Sequence, residues 1–458
     1  MPDPLHSQDE EEAALDYVAG EARRYLAELE QAPVLASRDE RFGGSLPEEG
    51  DGTLTALAEL VAASDVATRS SGPRFFHFVT GGTTPAALGA DWLTSLFDQN
   101  AFSGVSSPYG AQLEAVAVRW LLELFELPED WGGVLTTGAT MANFVGLACA
   151  RRWWAGQHGV DLDERGFAGL PQVPVFSTEY VHASARKALA MLGLGRDSVR
   201  LVDAAGLERE LAALDGAPAI VIGNAGDVNT GDFDPIGRMA DLAAEHGAWL
   251  HVDGAFGLFA RVTPKAAALA EGVDRADSVI ADGHKWLNVP YDCGFAFVRD
   301  RELLREPFRL TAAYLPTDET PSPEASRRAR SLAVWATLRA YGRAGYRAMV
   351  ERHLELAQRL SRRVDETPEL ERLAETKLNI VCFRFRPPGL DEQELDELNR
   401  ALGQDVLEDG RVFFGTTAYE GKVAFRPAIV NWRTTERDVD LLIDVLLELA
   451  SRRLAVRA

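Results

Sequence analysis

The chain is poor in cysteine, in positive charge and in long apolar runs, and each shortage excludes something. It has three cysteines, Cys149, Cys293 and Cys382, among 458 residues. They are odd in number, far apart and set among apolar neighbours. That excludes a disulfide scaffold and reads as free buried thiols in a reducing compartment. No CxxC or Cys/His cluster offers metal-ligand spacing, so no metal is expected. Lys and Arg total 47 against 70 Asp and Glu, a formal net charge of −23. This balance argues against a nucleic-acid partner and an anionic membrane surface, both of which need clustered bases. A small anion remains possible, because a helix N-terminus binds one inside an acidic protein. No run of ~18 apolar residues is present to span a bilayer. The acidic start MPDPLHSQDEEEA lacks the apolar core of a secretory signal. The expected location is the cytoplasm.

What is present is an ordinary globular composition, 46% hydrophobic and 26% charged, long enough for two or three domains or one large α/β domain with appendages. Residues 9–31 read as an amphipathic helix, with Leu15, Val18, Ala22, Tyr25 and Leu29 on one face. A second helix is expected over 54–68. The two have little core of their own and should dock on the rest of the chain or on a second subunit. From Phe75 to about Arg299, short apolar runs alternate with helical stretches. Strands are expected at 134–136, 173–176, 219–222, 249–252, 278–280 and 294–298. The alternation implies an α/β fold, a mainly parallel sheet with helices on both faces. Ligands of such sheets sit at the C-terminal strand ends. A polar, Pro-rich loop over 316–327 leads into a long helix, about 328–364. A small α+β C-terminal domain follows, with strands at 379–385, 411–414 and 422–430 and helices at 392–402 and 436–456. The expected division is therefore 1–74, an N-terminal helical arm; 75–315, a large domain; and 316–458, the loop, connecting helix and small domain.

Four segments carry chemistry. In Ser278–Gly294, a strand runs into Asp282, Gly283, His284, Lys285 and Trp286. Lysine is rarely buried unless paired or reactive, and a desolvated amine attacks a carbonyl to form a Schiff base. A surface lysine in a turn fits this segment equally well. In Trp249–Gly257, an apolar strand ends in Asp253, with His251 on the same side of the strand. A strand-end carboxylate of this kind holds a protonated ring nitrogen, as pyridoxal phosphate requires; helix capping is the plainer alternative. In Val134–Asn143, a turn through Gly138, Ala139 and Thr140 opens a helix and presents free N–H groups to a phosphate, though such turns are often mere caps. It is not a P-loop, since no Gly-Lys-Ser/Thr follows. Finally, His182 follows the strand near 175. It is placed to stack on an aromatic ligand or to shuttle a proton, or it is structural.

In this order the four segments resemble the pyridoxal-phosphate-dependent group II amino-acid decarboxylases, the aromatic-amino-acid and glutamate decarboxylases. The resemblance covers about Arg74 to Thr435 and is strongest at His251–Gly257 and Asp282–Gly294. It implies the type I fold of pyridoxal-phosphate-dependent transferases with a seven-stranded-type sheet, and pyridoxal 5'-phosphate as cofactor. It implies Lys285 as the lysine that binds the cofactor and Asp253 at the ring nitrogen, with Ala255 under the ring and His182 over it. Gly138, Ala139, Thr140, His284 and Asp282 fall to the phosphate side; relatives often carry Asn at the position of Asp282. Phe76–Pro85 resembles the strand by which substrate enters, with His77 and Thr80 in the pocket. Asn100 and Phe102 fall where a partner subunit reaches in. Arg426 is placed to bind a carboxylate, or to form a structural ion pair. The implied reaction is decarboxylation of an L-amino acid to an amine by a homodimer.

One departure stands out. Relatives carry a mobile loop whose tyrosine protonates the carbanion. Here the stretch between Leu315 and Arg327, PTDETPSPEAS, is several residues short and has no aromatic. His182 or a partner's residue then has to supply the proton. The same departure raises oxidative aldehyde formation, lyase or aldolase cleavage and transamination as alternative outcomes, with a non-catalytic homologue as a further reading.

Overall fold

The fold is that of a computed structural model, which describes residues 10–35, 37–310, 312–315 and 320–457. Asp9, at the start of the expected first helix, and 316–319, in the shortened loop, lie outside the described residues.

The large sheet has seven strands: β1 (Gly132–Thr136), β2 (Val175–Ser177), β3 (Val199–Leu201), β4 (Ile220–Asn224), β5 (Trp249–Asp253), β6 (Ser278–Asp282) and β7 (Gly294–Val298). Their order is β1-β7-β6-β5-β4-β2-β3. Strands β3, β2, β4, β5 and β6 pair in parallel, whereas β7 runs antiparallel to both of its neighbours. Alternate residues feed two separate cores. Val221, Leu250, Val252, Val279, Phe295 and Phe297 point to one; Ile220, Ile222, Trp249, Ile280, Ala296 and Val298 point to the other. Both faces are therefore buried, which is why these strands read as continuous apolar runs. Helices Ala139–Gln157 and Ala183–Met191 cover one face, and helix Ile236–His246 packs on the other.

The six expected strands are present. The edge strand β3 was not expected: it is three residues long and two of them are exposed, so it carries almost no apolar pattern.

A second sheet of four strands, β8 (Leu370–Arg372), β9 (Phe383–Phe385), β10 (Thr416–Tyr419) and β11 (Lys422–Phe425), runs β10-β11-β9-β8. Helices Glu392–Asp409 and Glu436–Arg457 close over it around Phe383, Phe425, Leu402 and Leu446. The strand expected at 411–414 is instead an extended buried segment. It pairs with the incoming chain, Phe76 N donating to Phe413 O at 2.8 Å and Phe413 N to Arg74 O at 3.0 Å. The long helix spans Ser331–Glu366 and is broken at Gly342, whose φ of 58° leaves the helical region. At the other end of the chain, the first two helices cover Glu10–Glu28 and Thr53–Ala62, the second ending earlier than its pattern suggested.

Candidate active site

The C-terminal ends of β4, β5 and β6 and the start of the Ala139–Gln157 helix converge on one place. At its centre Gly283–Leu287 makes a single π-type turn in which Lys285 leaves helical angles (φ −89°, ψ −105°). The Lys285 Nζ lies 3.0 Å from Asp282 Oδ2 and 5.9 Å from the centre of the Phe256 ring. The turn is clamped from behind. Gly81 N donates to His284 O at 3.1 Å, and a Cβ on Gly81 would lie 1.6 Å from Lys285 O. Asn288 closes it, donating through Nδ2 to Trp286 O and Val430 O, both at 2.9 Å.

Asp253 ends a chain of hydrogen bonds whose directions can be assigned throughout. Trp249 Nε1–H donates to Ser278 Oγ at 2.9 Å. That hydroxyl is 2.8 Å from His251 Nδ1; Asn143 spends both Nδ2 hydrogens elsewhere, so its Oδ1 accepts from His251 Nε2, which makes Nδ1 of the neutral ring the acceptor and the Ser278 hydroxyl the donor. Nε2 then carries the proton and donates to Asn143 Oδ1 at 2.8 Å. Asn143 Nδ2 has one hydrogen for Asp253 Oδ2 at 2.9 Å and one for Ser184 Oγ at 3.2 Å. The other Asp253 oxygen accepts Ala255 N–H at 3.1 Å. Burial pushes His251 down to about 4, with Asp253 opposing, which agrees with a neutral imidazole. His251 and Asp253 thus do work from the same side of β5, joined by Asn143.

Around them, His182 caps the Ala183–Met191 helix. Its Nδ1 accepts Ser184 N–H at 3.2 Å and lies 2.7 Å from Ser184 Oγ. The structural role weighed for His182 is therefore real, and it leaves Nε2 without a hydrogen-bond partner among the described residues.

The phosphate side rests on Gly138 and on the helix that follows. Gly138 has no side chain to cap this 19-residue helix; Asp282 takes the Ala139 N–H, and the N–H groups that follow are left for a ligand. Gly138 has a φ of 148°, and a Cβ there would come within 2.9 Å of His284 Cε1. Only glycine leaves that space open, and the space fits a phosphate. Asp282 stands at its edge, accepting Ala139 N–H at 2.5 Å, with His284 Nε2 3.5 Å away. Burial lowers His284, Asp282 opposing and Lys285 adding to the shift.

The pattern of the Pyridoxal-dependent decarboxylase conserved domain matches residues 44–386. The chain belongs to this decarboxylase family. It is 29% identical over 389 residues to the aromatic-L-amino-acid decarboxylase of Bacillus atrophaeus, covering 80% of this chain and 79% of that one. It is 27% identical over 471 residues to an acidic amino acid decarboxylase of Mus musculus, covering 96% and 82%. In fold it is similar to the crystal structure of Oryza sativa TDC with PLP and tryptamine, with a TM-score of 0.90, 24% identity and 99% of each chain covered. The decarboxylase is thus a carboxy-lyase that removes CO2 from an L-amino acid with pyridoxal phosphate as cofactor. The lyase, transaminating and non-catalytic alternatives are not favoured by these likenesses, while the chain is also 26% identical over 476 residues to a phenylacetaldehyde synthase of Arabidopsis thaliana.

Of the residues singled out from the sequence, the decarboxylase brings Gly138, Ala139, Thr140, His182, Asp253, Ala255, Asp282, His284 and Lys285 to the strand ends. Thr80 joins them through Tyr291: their hydroxyl oxygens are 3.0 Å apart, and the Tyr291 ring stacks on His284 at 4.4 Å. His77 lies on the small-domain side. Its Nδ1 accepts Gly415 N–H at 3.1 Å, and burial, with Arg426 adding, holds it down at about 4. Next to it, Arg426 has a buried Nη1 without a hydrogen-bond partner among the described residues. The ion pair weighed for this arginine is not formed among them. Asn100 and Phe102 are held elsewhere. Asn100 Oδ1 accepts Arg327 N–H at 3.0 Å, Phe102 O accepts Thr320 N–H at 2.7 Å, and Ala101 N donates to Arg327 O at 3.0 Å. They are laced to the far end of the shortened loop, not to the lysine turn.

Sequence reasoning missed Asn143, Ser184, Ser278 and Tyr291. Asn143 carried no local signal, because its partners lie more than a hundred residues away along the chain.

Proposed function

We propose that Lys285 binds the cofactor covalently, that Asp253 opposes its ring nitrogen, and that the N–H groups of Ala139 and Thr140, with His284, receive its phosphate. The observation that carries this reading is the assigned chain from Trp249 to Asp253. It leaves Asp253 fixed by two donors at the end of β5, beside the strand that leads into the Lys285 turn. When bound, pyridoxal phosphate supplies an electron sink for the bond to the departing carboxylate.

The chain's own residues set the rest. Ala255 and His182 bound the ring on its two faces. Arg426, with its free Nη1, takes a substrate carboxylate. Thr80, His77 and the Tyr291 hydroxyl line the side-chain pocket. Once CO2 has left, the substrate α-carbon needs a proton to become the amine carbon. His182 supplies it from Nε2 as an imidazolium that has drawn its proton from solvent, its Nδ1–H then donating to Ser184 Oγ, and it returns to the neutral ring after the transfer.

We also propose that the enzyme is a cytoplasmic homodimer. No described helix is long and apolar enough to cross a membrane. The first helices and the Pro85–Phe97 helix expose Leu15, Leu60, Leu96 and Phe97, a surface that a second copy would cover. With the copy in place, Asn100 and Phe102 face the partner's site. The units 1–74, 75–315 and 316–458 are then the arm, the cofactor domain and the closing domain.

The test is to incubate the purified enzyme with a panel of L-amino acids, measuring CO2, amine, aldehyde and ammonia separately. CO2 with one equivalent of amine is expected, and Lys285→Ala should abolish both turnover and the visible band of the bound cofactor. A Lys285→Ala enzyme turning over at the wild-type rate would overturn the assignment.

A further inference from the structure

A second basic site lies behind the lysine turn, where the Ser331–Glu366 helix meets the start of the Glu436–Arg457 helix. It is a cavity of about 560 Å³ whose charged lining is Arg352, Arg359, Arg362 and Arg433 against Glu355 and Glu436. Both carboxylates are already engaged. Glu436 pairs with Arg359 at 2.9 Å and Glu355 with Lys265 at 3.0 Å, while Arg359 also holds Asp440 at 2.7 Å.

Three guanidiniums remain without a carboxylate in ion-pairing distance among the described residues. Arg352 donates only to a backbone carbonyl, that of Trp432, at 2.6 Å. Arg433 lies flat on the Trp432 indole at 4.3 Å, and its buried Nε has no partner. Arg362 is exposed and makes no hydrogen bond or ion pair among the described residues. In a chain with 70 acidic residues and 47 basic ones, three unpaired arginines around one hollow run against the bulk charge. They repel one another, and their planar donor forks suit phosphate oxygens in pairs.

We propose that this cavity binds a compact multivalent oxyanion of the pyrophosphate or phosphate-ester kind, separately from the cofactor's phosphate cradle. The site is wired to the lysine turn. Trp432 N donates to Asn288 Oδ1 at 2.9 Å, and Asn288 holds Trp286 O. His353, next to Arg352, accepts Trp286 Nε1–H at 2.8 Å. An anion drawn against Arg352 and Arg433 therefore bears on the residue next to Lys285.

The experiment titrates cofactor-saturated enzyme, whose own phosphate cradle is filled, with sodium pyrophosphate by calorimetry at constant ionic strength. One saturable site per chain is expected. Arg362→Gln should weaken it several-fold while the cofactor's absorbance and the unfolding temperature stay unchanged, and Arg352→Gln with Arg362→Gln should weaken it at least tenfold. Arg362 is exposed and makes no hydrogen bond or ion pair among the described residues, so the single variant keeps the test decisive. Absence of saturable heat, equal affinity in wild type and both variants, or pyrophosphate acting by displacing the cofactor would each refute the site.

Discussion

Replacing Asn143 tests the chain that fixes Asp253. Asn143 and His251 are fully buried, and Asp253 is nearly so. Asn143→Ala removes three hydrogen bonds at once: from Nδ2 to Asp253 and to Ser184, and from His251 to Oδ1. A bond to a carboxylate contributes about 1.5–3 kcal/mol and a neutral one about 1 kcal/mol, with a further cost when the partner stays buried and unpaired. A water entering the gap left by the amide recovers part of this. The expected loss is about 2–4 kcal/mol of folding stability in the cofactor-free protein. Because Asp253 is also released from its set position, cofactor affinity should fall at least tenfold.

Asn143→Asp sharpens the test. It keeps an acceptor for His251 but loses both donors and sets a second buried carboxylate against Asp253, so it should cost more stability than alanine and harm cofactor binding as well. Urea unfolding of the cofactor-free protein and absorbance titration with pyridoxal phosphate measure the two quantities. If Asn143→Ala binds cofactor within twofold of wild type and unfolds at the same urea concentration, the hydrogen-bond chain does not position Asp253.

Acid should weaken the fold through its buried imidazoles. His251 is held at about 4 and His353 at about 3, against an ordinary 6.5. Both are fully buried, and below the ordinary value the unfolded chain takes up protons that the folded one refuses. From pH 7.5 to 5.5 the two should remove roughly 3 kcal/mol of stability; equal urea midpoints at the two pH values would contradict this. Gly138→Ala should leave circular dichroism near native and abolish cofactor binding, because its Cβ fills the space beside His284; retained affinity would show that the phosphate lies elsewhere. Arg327→Ala leaves Glu114 buried without its 2.9 Å partner and should cost about 3–5 kcal/mol, measured by thermal unfolding. His182→Gln should shift product from amine toward aldehyde if His182 donates the proton; an unchanged product ratio would remove it from that role.

The strand-end residues were legible in the sequence because strands buried on both faces are written as apolar runs. Asp253 and Lys285 stand out at the point where each run stops. Asn143 was hidden by distance. Its partners Asp253 and His251 are 110 and 108 residues away along the chain, and nothing local distinguishes it from a chance polar residue. Thr80 was expected, but its hydroxyl partner Tyr291 was not, since only the folded turn brings the two segments together. The extended stretch at 411–414 looked like a strand of the small sheet because it is just as apolar. It is buried against the chain entering at Phe75–Phe76, a pairing that no periodicity records. The fate of Asn100 was equally non-local. Its carbonyl is claimed by the backbone of Arg327, more than two hundred residues later.

That last contact has a consequence for engineering. The segment 320–327 and the segment 100–102 are tied by backbone bonds and anchored by the buried Arg327, so the shortened loop is not a detachable module. Transplanting a longer loop would disturb the 100–102 segment along with it. A change of loop length therefore has to be accommodated at residues 100–102, where compensating substitutions belong.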